Sequence, residues 1–278
     1  MKRNLRLSLF PLLAATLGLT QGTTPSLPAP AAVVANKPAQ EAEAANKPAA
    51  LASGAKTSAA SVKSSTPAAN PSADDLQGVL EQMDEAAGGF NSAQGEFEIK
   101  TYQKVVDDLY VQKGSISFRR TKRGGVDAAF QFTSPDDKQV VFKNGKLIMH
   151  ERKINQITEW DVSKNKASVE SFLSLGFGAR SKDLLNDYDV KMGGWENIDG
   201  VKTAKLELVA KNEKLRNTYD KIVLWIDPAR DIILQQKFFE SVGNYRLAHY
   251  TNLKINGKLP AEAFNIDMSS HPKIVHPQ

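Results

Sequence analysis

Tyr219-Asp220-Lys221-Ile222-Val223-Leu224-Trp225-Ile226 opens four apolar-rich runs that fill residues 219–268, and their reading decides the fold. The first run stops at Asp227-Pro228, and the second, Ile232 to Phe239, stops near Gly243-Asn244. The third, Tyr245 to Ile255, stops at Asn256-Gly257, and Phe264-Asn265-Ile266-Asp267-Met268 closes the set. Short β-branched and aromatic runs bounded by Pro, Gly, Asn and Asp predict antiparallel strands of a meander. Asp-Pro ends a strand because proline cannot donate to the ladder and biases the residue before it. Asn256-Gly257 predicts a tight hairpin turn, where positive φ angles are needed. Several strands carry apolar residues on both faces, so the sheet has to be covered on one side and apolar on the other.

Upstream, Asp74 and Asp75 in the first turn and Ser72 at the cap predict a helix start. Leu76, Val79, Leu80 and Met83 form one stripe, and Gly88-Gly89 ends the helix. Alternation then predicts strands at 96–100, 115–118 and 126–132, with Val126, Ala128, Phe130 and Phe132 on one face. Val140–Phe142 and Leu147–Met149 flank Asn144-Gly145, a strong hairpin signal. Ile154 to Val162 makes one more strand. Two amphipathic helices interrupt the meander, at Ala167–Leu175 and at Ser181–Tyr188 with a serine cap. Inside a β-rich run such helices have to lie on the sheet. Trp195–Gly200 reads as a turn, and Val201–Val209 resumes the alternation. The expected class is mainly β: a curved antiparallel sheet forming an unclosed β-barrel under short helices.

The same residues resemble a known family. The Ile226-Asp227-Pro228 turn, the Phe238-Phe239-Glu240-Ser241 strand end and the Asn256–Asp267 segment are similar to the C-terminal half of the periplasmic outer-membrane lipoprotein carrier (LolA-like) family. The resemblance resumes at Gly114–Arg120, Phe130–Pro135 and Asn144–Leu147, and spans residues 75–268. It implies an unclosed β-barrel under a helical lid, with acyl chains of lipoproteins as cargo. It also implies two partners, an ATP-driven extractor in the inner membrane and a receptor in the outer membrane. Arg120 aligns with an arginine that in the family latches the lid by hydrogen bonds in the closed state. The proline that often follows that arginine is Thr121 here, and a solvated basic turn with Arg119, Lys122 and Arg123 is the alternative. The expected lining of the inner face is Phe97, Ile99, Ile116, Phe118, Ala128, Phe130 and Phe132, with Phe172, Leu173 and Leu175 from the lid. Ordinary core packing is the alternative for each.

Composition sets the limits. Phe10 is followed by no aromatic residue before Phe90, so the core belongs to the C-terminal ~200 residues. Lys2, Arg3 and Arg6 precede an apolar run from Leu7 to Leu19, which predicts a cleaved secretory signal over 1–22 and a periplasmic protein. Residues 23–73 are rich in Ala, Pro, Ser and Lys and repeat Ala-Asn-Lys-Pro-Ala at 35–39 and 45–49, so they read as a disordered linker. Residues 74–270 are the expected carrier domain and 271–278 a disordered tail. The net charge of +5 falls to +2 without the signal's three basic residues, and no nucleic-acid motif is present. The chain holds no cysteine, which excludes disulfides, thiolate chemistry and a lipobox. His150, His249, His271 and His276 are scattered outside any catalytic motif, so no enzyme, metal or cofactor is expected. The expected function is a monomeric periplasmic lipoprotein carrier. Two alternatives stand beside it: a lipid or lipoprotein sensor of the same fold acting through a membrane partner, and an envelope structural protein tethered by the linker.

Overall fold

The computed structural model describes residues 73–122 and 124–277. The signal, most of the linker and the Ser72 cap lie outside the described residues. Helix α1 (Ala73–Gly89) turns the expected stripe inward, with Val79, Leu80, Met83 and Ala87 all buried.

Twelve strands form one sheet: β1 (Ser92–Gln103), β2 (Asp108–Arg120), β3 (Val126–Ser134), β4 (Lys138–Lys143), β5 (Lys146–Glu151), β6 (Gln156–Asp161), β7 (Tyr188–Ile198), β8 (Val201–Ala210), β9 (Lys221–Asp227), β10 (Ile232–Phe239), β11 (Tyr245–Ile255) and β12 (Lys273–Val275). Their spatial order is β12-β6-β5-β4-β3-β2-β1-β11-β10-β9-β8-β7. The β1–β11 ladder joins the two meanders, while β12 and β7 stand at opposite edges without pairing. The barrel is therefore unclosed, as expected. Asn144 and Gly145 take φ of 53° and 74°, the two positive values that a tight β4–β5 turn needs. Helices α2 (Lys166–Ser174) and α3 (Ser181–Asp187) lie between β6 and β7, and α4 (Glu213–Arg216) between β8 and β9.

Strand register builds the inner face. Phe97 on β1 faces Gly114 on β2, which in turn faces Phe132 on β3. The Phe97 ring crosses the glycine to meet Phe132 edge-on, with centroids 5.1 Å apart. A Cβ on Gly114 would stand 2.0 Å from the Gln131 carbonyl oxygen and 2.7 Å from Phe97 Cζ. Gly114→Ala is expected to cost about 2–3 kcal/mol, because the obstacle includes backbone that cannot step aside. Urea unfolding checks this; a neutral result would mean that β2 and β3 separate easily.

Five local expectations are corrected. Trp195–Ile198 is not a turn but the end of β7, and only Asp199-Gly200 turns, both at positive φ. Strand β7 is an edge with alternate residues in solvent, so its sequence is too polar to announce a strand. Asn256 has a positive φ but makes no hairpin; its Oδ1 accepts from Asn91 N at 2.7 Å and Ser92 N at 3.2 Å. It thereby ties the end of β11 to the start of β1. Phe264–Met268 is not a strand; Phe264 instead covers Ala129 and Val141 on the outer face, with the Arg119 guanidinium 4.2 Å from its ring centroid. The tail is ordered in part, since Lys273–Val275 pairs in parallel with Gln156–Thr158. Finally, α3 is not capped by its own serine. Asp84 of α1 accepts from Ser181 N at 2.7 Å and from Ser181 Oγ at 2.5 Å.

Candidate functional site

The lid is built from α2, α3 and the segment between them. On α2, Val169 is buried, while Phe172 and Leu173 are partly buried against the core. The Phe172 ring lies 5.6 Å from Phe238 and 6.3 Å from Tyr219. Glu170 accepts from Val126 N at 3.3 Å, which fixes the helix to the start of β3.

Leu175-Gly176-Phe177-Gly178 then docks on the sheet like a short extra strand. Ile233 N donates to Gly176 O at 2.8 Å and Gly178 N to Asp231 O at 3.1 Å, so Phe177 faces Ile232. Phe177 stacks on Phe118 at 5.6 Å and meets Tyr250 edge-on at 5.4 Å. Both glycines sit at positive φ against a neighbour. A Cβ on Gly176 would meet Ile233 Cγ2 at 1.9 Å, and one on Gly178 would meet Phe90 Cδ1 at 2.4 Å. Glycine is required here by backbone and by space.

Arg120 fastens this segment. Its Nη1 donates to Ala87 O of α1 at 2.9 Å, and its Nη2 donates to Gly178 O. One guanidinium thus ties β2 to α1 and to the segment between α2 and α3. Burial pulls its pKa below the ordinary arginine value, and Arg180 acts in the same direction. Asp231 lies nearby, 0% exposed, and neither carboxylate oxygen has a hydrogen-bond partner among the described residues. Burial pushes its pKa up to about 8; Arg120 opposes the shift and Asp84 adds to it. Arg120→Leu removes two charge-assisted bonds, each worth about 1.5–3 kcal/mol. The amides of Gly178 and Ile233 are then expected to exchange with solvent at least about tenfold faster. Unchanged exchange, followed by mass spectrometry, would mean that the aromatic contacts alone hold the lid.

All ten sequence-predicted lining residues fall in one continuous apolar core. Ile99, Phe130, Phe172, Leu173 and Leu175 line a cavity of about 40 Å³ between lid and sheet. Phe97, Ile116, Phe118, Ala128 and Phe132 are buried around it without reaching it. Phe177, Gln236, Phe238, Arg246, Ala248 and Tyr250 complete the lining, and sequence reasoning did not find them. The glycines flanking Phe177 were the available signal for that residue. The rest follow from the β10–β11 register, in which Ala248 faces Gln236 and Arg246 faces Phe238. A second cleft, about 660 Å³, is lined by both lid helices, by Arg120, Val126, Leu175 and Gly178, and by polar groups such as Glu170, Arg180, Asp183 and Asn186. On the apolar side of the lid the cavity is far smaller than a ligand site of several hundred Å³. The lid is shut.

Among the described residues, no helix is long and apolar enough to cross a membrane. A family model described as "Uncharacterized protein" matches residues 177–270. No curated protein matches the chain. Among solved structures, the MucA/MucB complex of Pseudomonas aeruginosa is 15% identical, with a TM-score of 0.44 over 72% of this chain and 63% of that one. LprF from Mycobacterium bovis is 12% identical, with a TM-score of 0.42 over 70% of this chain and 99% of that one. A LolA superfamily protein from Nitrosomonas europaea is 16% identical, with a TM-score of 0.34 over 68% and 97%. The chain spans just under two thirds of the length of the MucB chains it matches. No residue role is carried over from these likenesses. The chain's own structure has the architecture expected from the sequence, an unclosed antiparallel sheet covered by short helices.

Proposed function

We propose that the chain is a non-enzymatic periplasmic carrier that shelters the acyl chains of lipoproteins between lid and sheet. It takes cargo from an ATP-driven extractor in the inner membrane and yields it to a receptor in the outer membrane. The observation that carries this reading is the shut lid itself. Phe172, Leu173, Leu175 and Phe177 occupy the apolar face that acyl chains would cover. Each methylene removed from water contributes about 0.8 kcal/mol, so several acyl chains supply more driving force than a reversible carrier can use. A lid that packs well on the empty sheet competes with cargo for the same surface and lowers the net affinity. That competition lets cargo leave.

The test is native mass spectrometry of the protein after incubation with spheroplasts and recovery from the supernatant. A one-to-one complex with an acylated lipoprotein supports the carrier. Free phospholipid or glycolipid in its place would turn the function to lipid transport or sensing. Recovery of empty protein, where a known carrier loads, would overturn the reading.

A further inference from the structure

The inner face is not apolar throughout. Thr101 on β1 faces Arg246 on β11, one step below the pairs Ile99–Gln112 and Ile99–Ala248, with Gln236 beyond Ala248 on β10. Thr101, Gln112, Gln236 and Arg246 therefore share the inward side of four adjacent strands and make a polar floor beneath Phe172 and Phe238. Arg246 is 3% exposed, Thr101 5% and Gln112 1%. Gln236 and Arg246 both line the cavity.

This floor holds an unmet cationic donor. Arg246 Nε is buried without a hydrogen-bond partner among the described residues, and so is Thr101 Oγ1. Arg246 Nη2 reaches Glu240 at 3.5 Å, a contact at the outer limit of hydrogen bonding. The Glu240 side chain is 20% exposed, so it can turn outward as another anion arrives. Nε and Nη2 form one edge of the guanidinium, the edge that takes both oxygens of a carboxylate or two of a phosphate. Burying an arginine with Nε unpartnered and Nη2 held only at 3.5 Å is costly, and an oxyanion that takes both removes the cost.

We propose that this floor binds the oxyanion of an acidic amphiphile, head inward, with its acyl chain along Phe130, Phe172 and Phe238. The inference rests on the acyl-binding reading and adds a ligand class to it. The acyl chains of a lipoprotein bring no anion to the floor, whereas a fatty acid or a phospholipid-like molecule does. A Thr101 hydroxyl beside Arg246 donates to the same oxyanion.

The experiment is calorimetric titration of the full chain with two pairs of ligands that differ only in the head. Oleate is set against oleyl alcohol, and lysophosphatidate against monooleoylglycerol. At least one acid is expected to bind ten- to a hundredfold more tightly than its neutral partner, the size of one charge-assisted contact. Preference for oleate alone identifies a carboxylate, and preference for lysophosphatidate a phosphate; either supports the floor. Arg246→Met is expected to abolish the preference, and Thr101→Val to reduce it severalfold. The wild-type comparison decides the matter even if Arg246→Met fails to fold. Equal binding of acid and neutral partner, or a preference that survives Arg246→Met, overturns the proposal and leaves acyl binding intact. If no acyl ligand binds at all, the acyl-binding reading falls and this inference falls with it.

Discussion

Asp231→Asn is expected to stabilise the protein by about 3–5 kcal/mol at pH 8 and to change nothing at pH 3.5. The carboxyl is 0% exposed, and its pKa rises from an ordinary 3.8 to about 8 in the fold. The folded state thus holds its proton more tightly than the unfolded chain. Below about pH 4 both states are protonated and the group costs nothing. As pH rises from about 4 to 8, the unfolded chain releases a proton that the native state keeps, so stability falls across that window. Above about pH 8 the native carboxyl ionises too and the cost stays at its full value. Asparagine removes the titration and suits the site, because position 231 has a φ of 47° and asparagine tolerates the left-handed region. For a domain of this size the gain corresponds to a rise in melting temperature on the order of 10 °C at pH 8. Melting curves of both proteins across pH 3.5–9 check this. A difference that did not vary with pH would mean that Asp231 has the same pKa in the folded and unfolded states.

Why an uncomfortable aspartate sits beside the latch follows from its neighbours. Its backbone oxygen accepts from Gly178 N, and Arg120 supplies the positive charge that opposes its desolvation. Above about pH 8, where the native Asp231 ionises, removing Arg120 therefore costs more than its own two hydrogen bonds, because Asp231 loses the influence that lowers its pKa. In that range the two substitutions are expected to couple, with Arg120→Leu better tolerated in the Asp231→Asn background.

Much of this was legible in the chain, for physical reasons that differ by element. The α1 stripe and the β8–β11 runs are buried on one or both faces, so their apolar period survives in the sequence. Asn144-Gly145 was legible because its turn chemistry is local. Strand β7 was not, since an edge strand with one wet face carries little apolar pattern. Nor was β12, whose three residues owe their order to β6 and to Lys273 N donating to Asn155 O at 2.9 Å. The polar floor was hidden for another reason. Alternation separates two faces of a strand, but Thr101, Gln112 and Arg246 face inward, where polar residues are not anticipated. Register alone brings them together, and register is a property of pairs of strands. The same limit applied to the lid. Its helices were readable from their stripes, whereas the docking of Phe177 depends on backbone bonds to a strand more than fifty residues away.

Those backbone bonds make the lid testable by a lock. Gly178 N donates to Asp231 O, and Ile233 N to Gly176 O, so Phe177 and Ile232 form a non-hydrogen-bonded antiparallel pair. Such a pair brings Cα atoms to about 4.5 Å, within the range a disulfide spans. The chain has no cysteine of its own, so Phe177→Cys with Ile232→Cys leaves one possible bridge. Oxidised, this variant cannot lift the Gly176–Gly178 segment off β10, whereas in the reduced form only non-covalent contacts hold it there. If acyl chains enter beneath this lid, oxidation is expected to weaken acyl-ligand binding by at least about a hundredfold, because the open, binding-competent population collapses. Dithiothreitol is expected to restore it. The comparison is internal: both forms lack the same Phe177 ring and Ile232 side chain, so lost packing cancels. Oxidised protein that loads as well as reduced protein would show that cargo enters elsewhere, along the unpaired edges at β7 or β12, and that Arg120 fastens a wall and not a door.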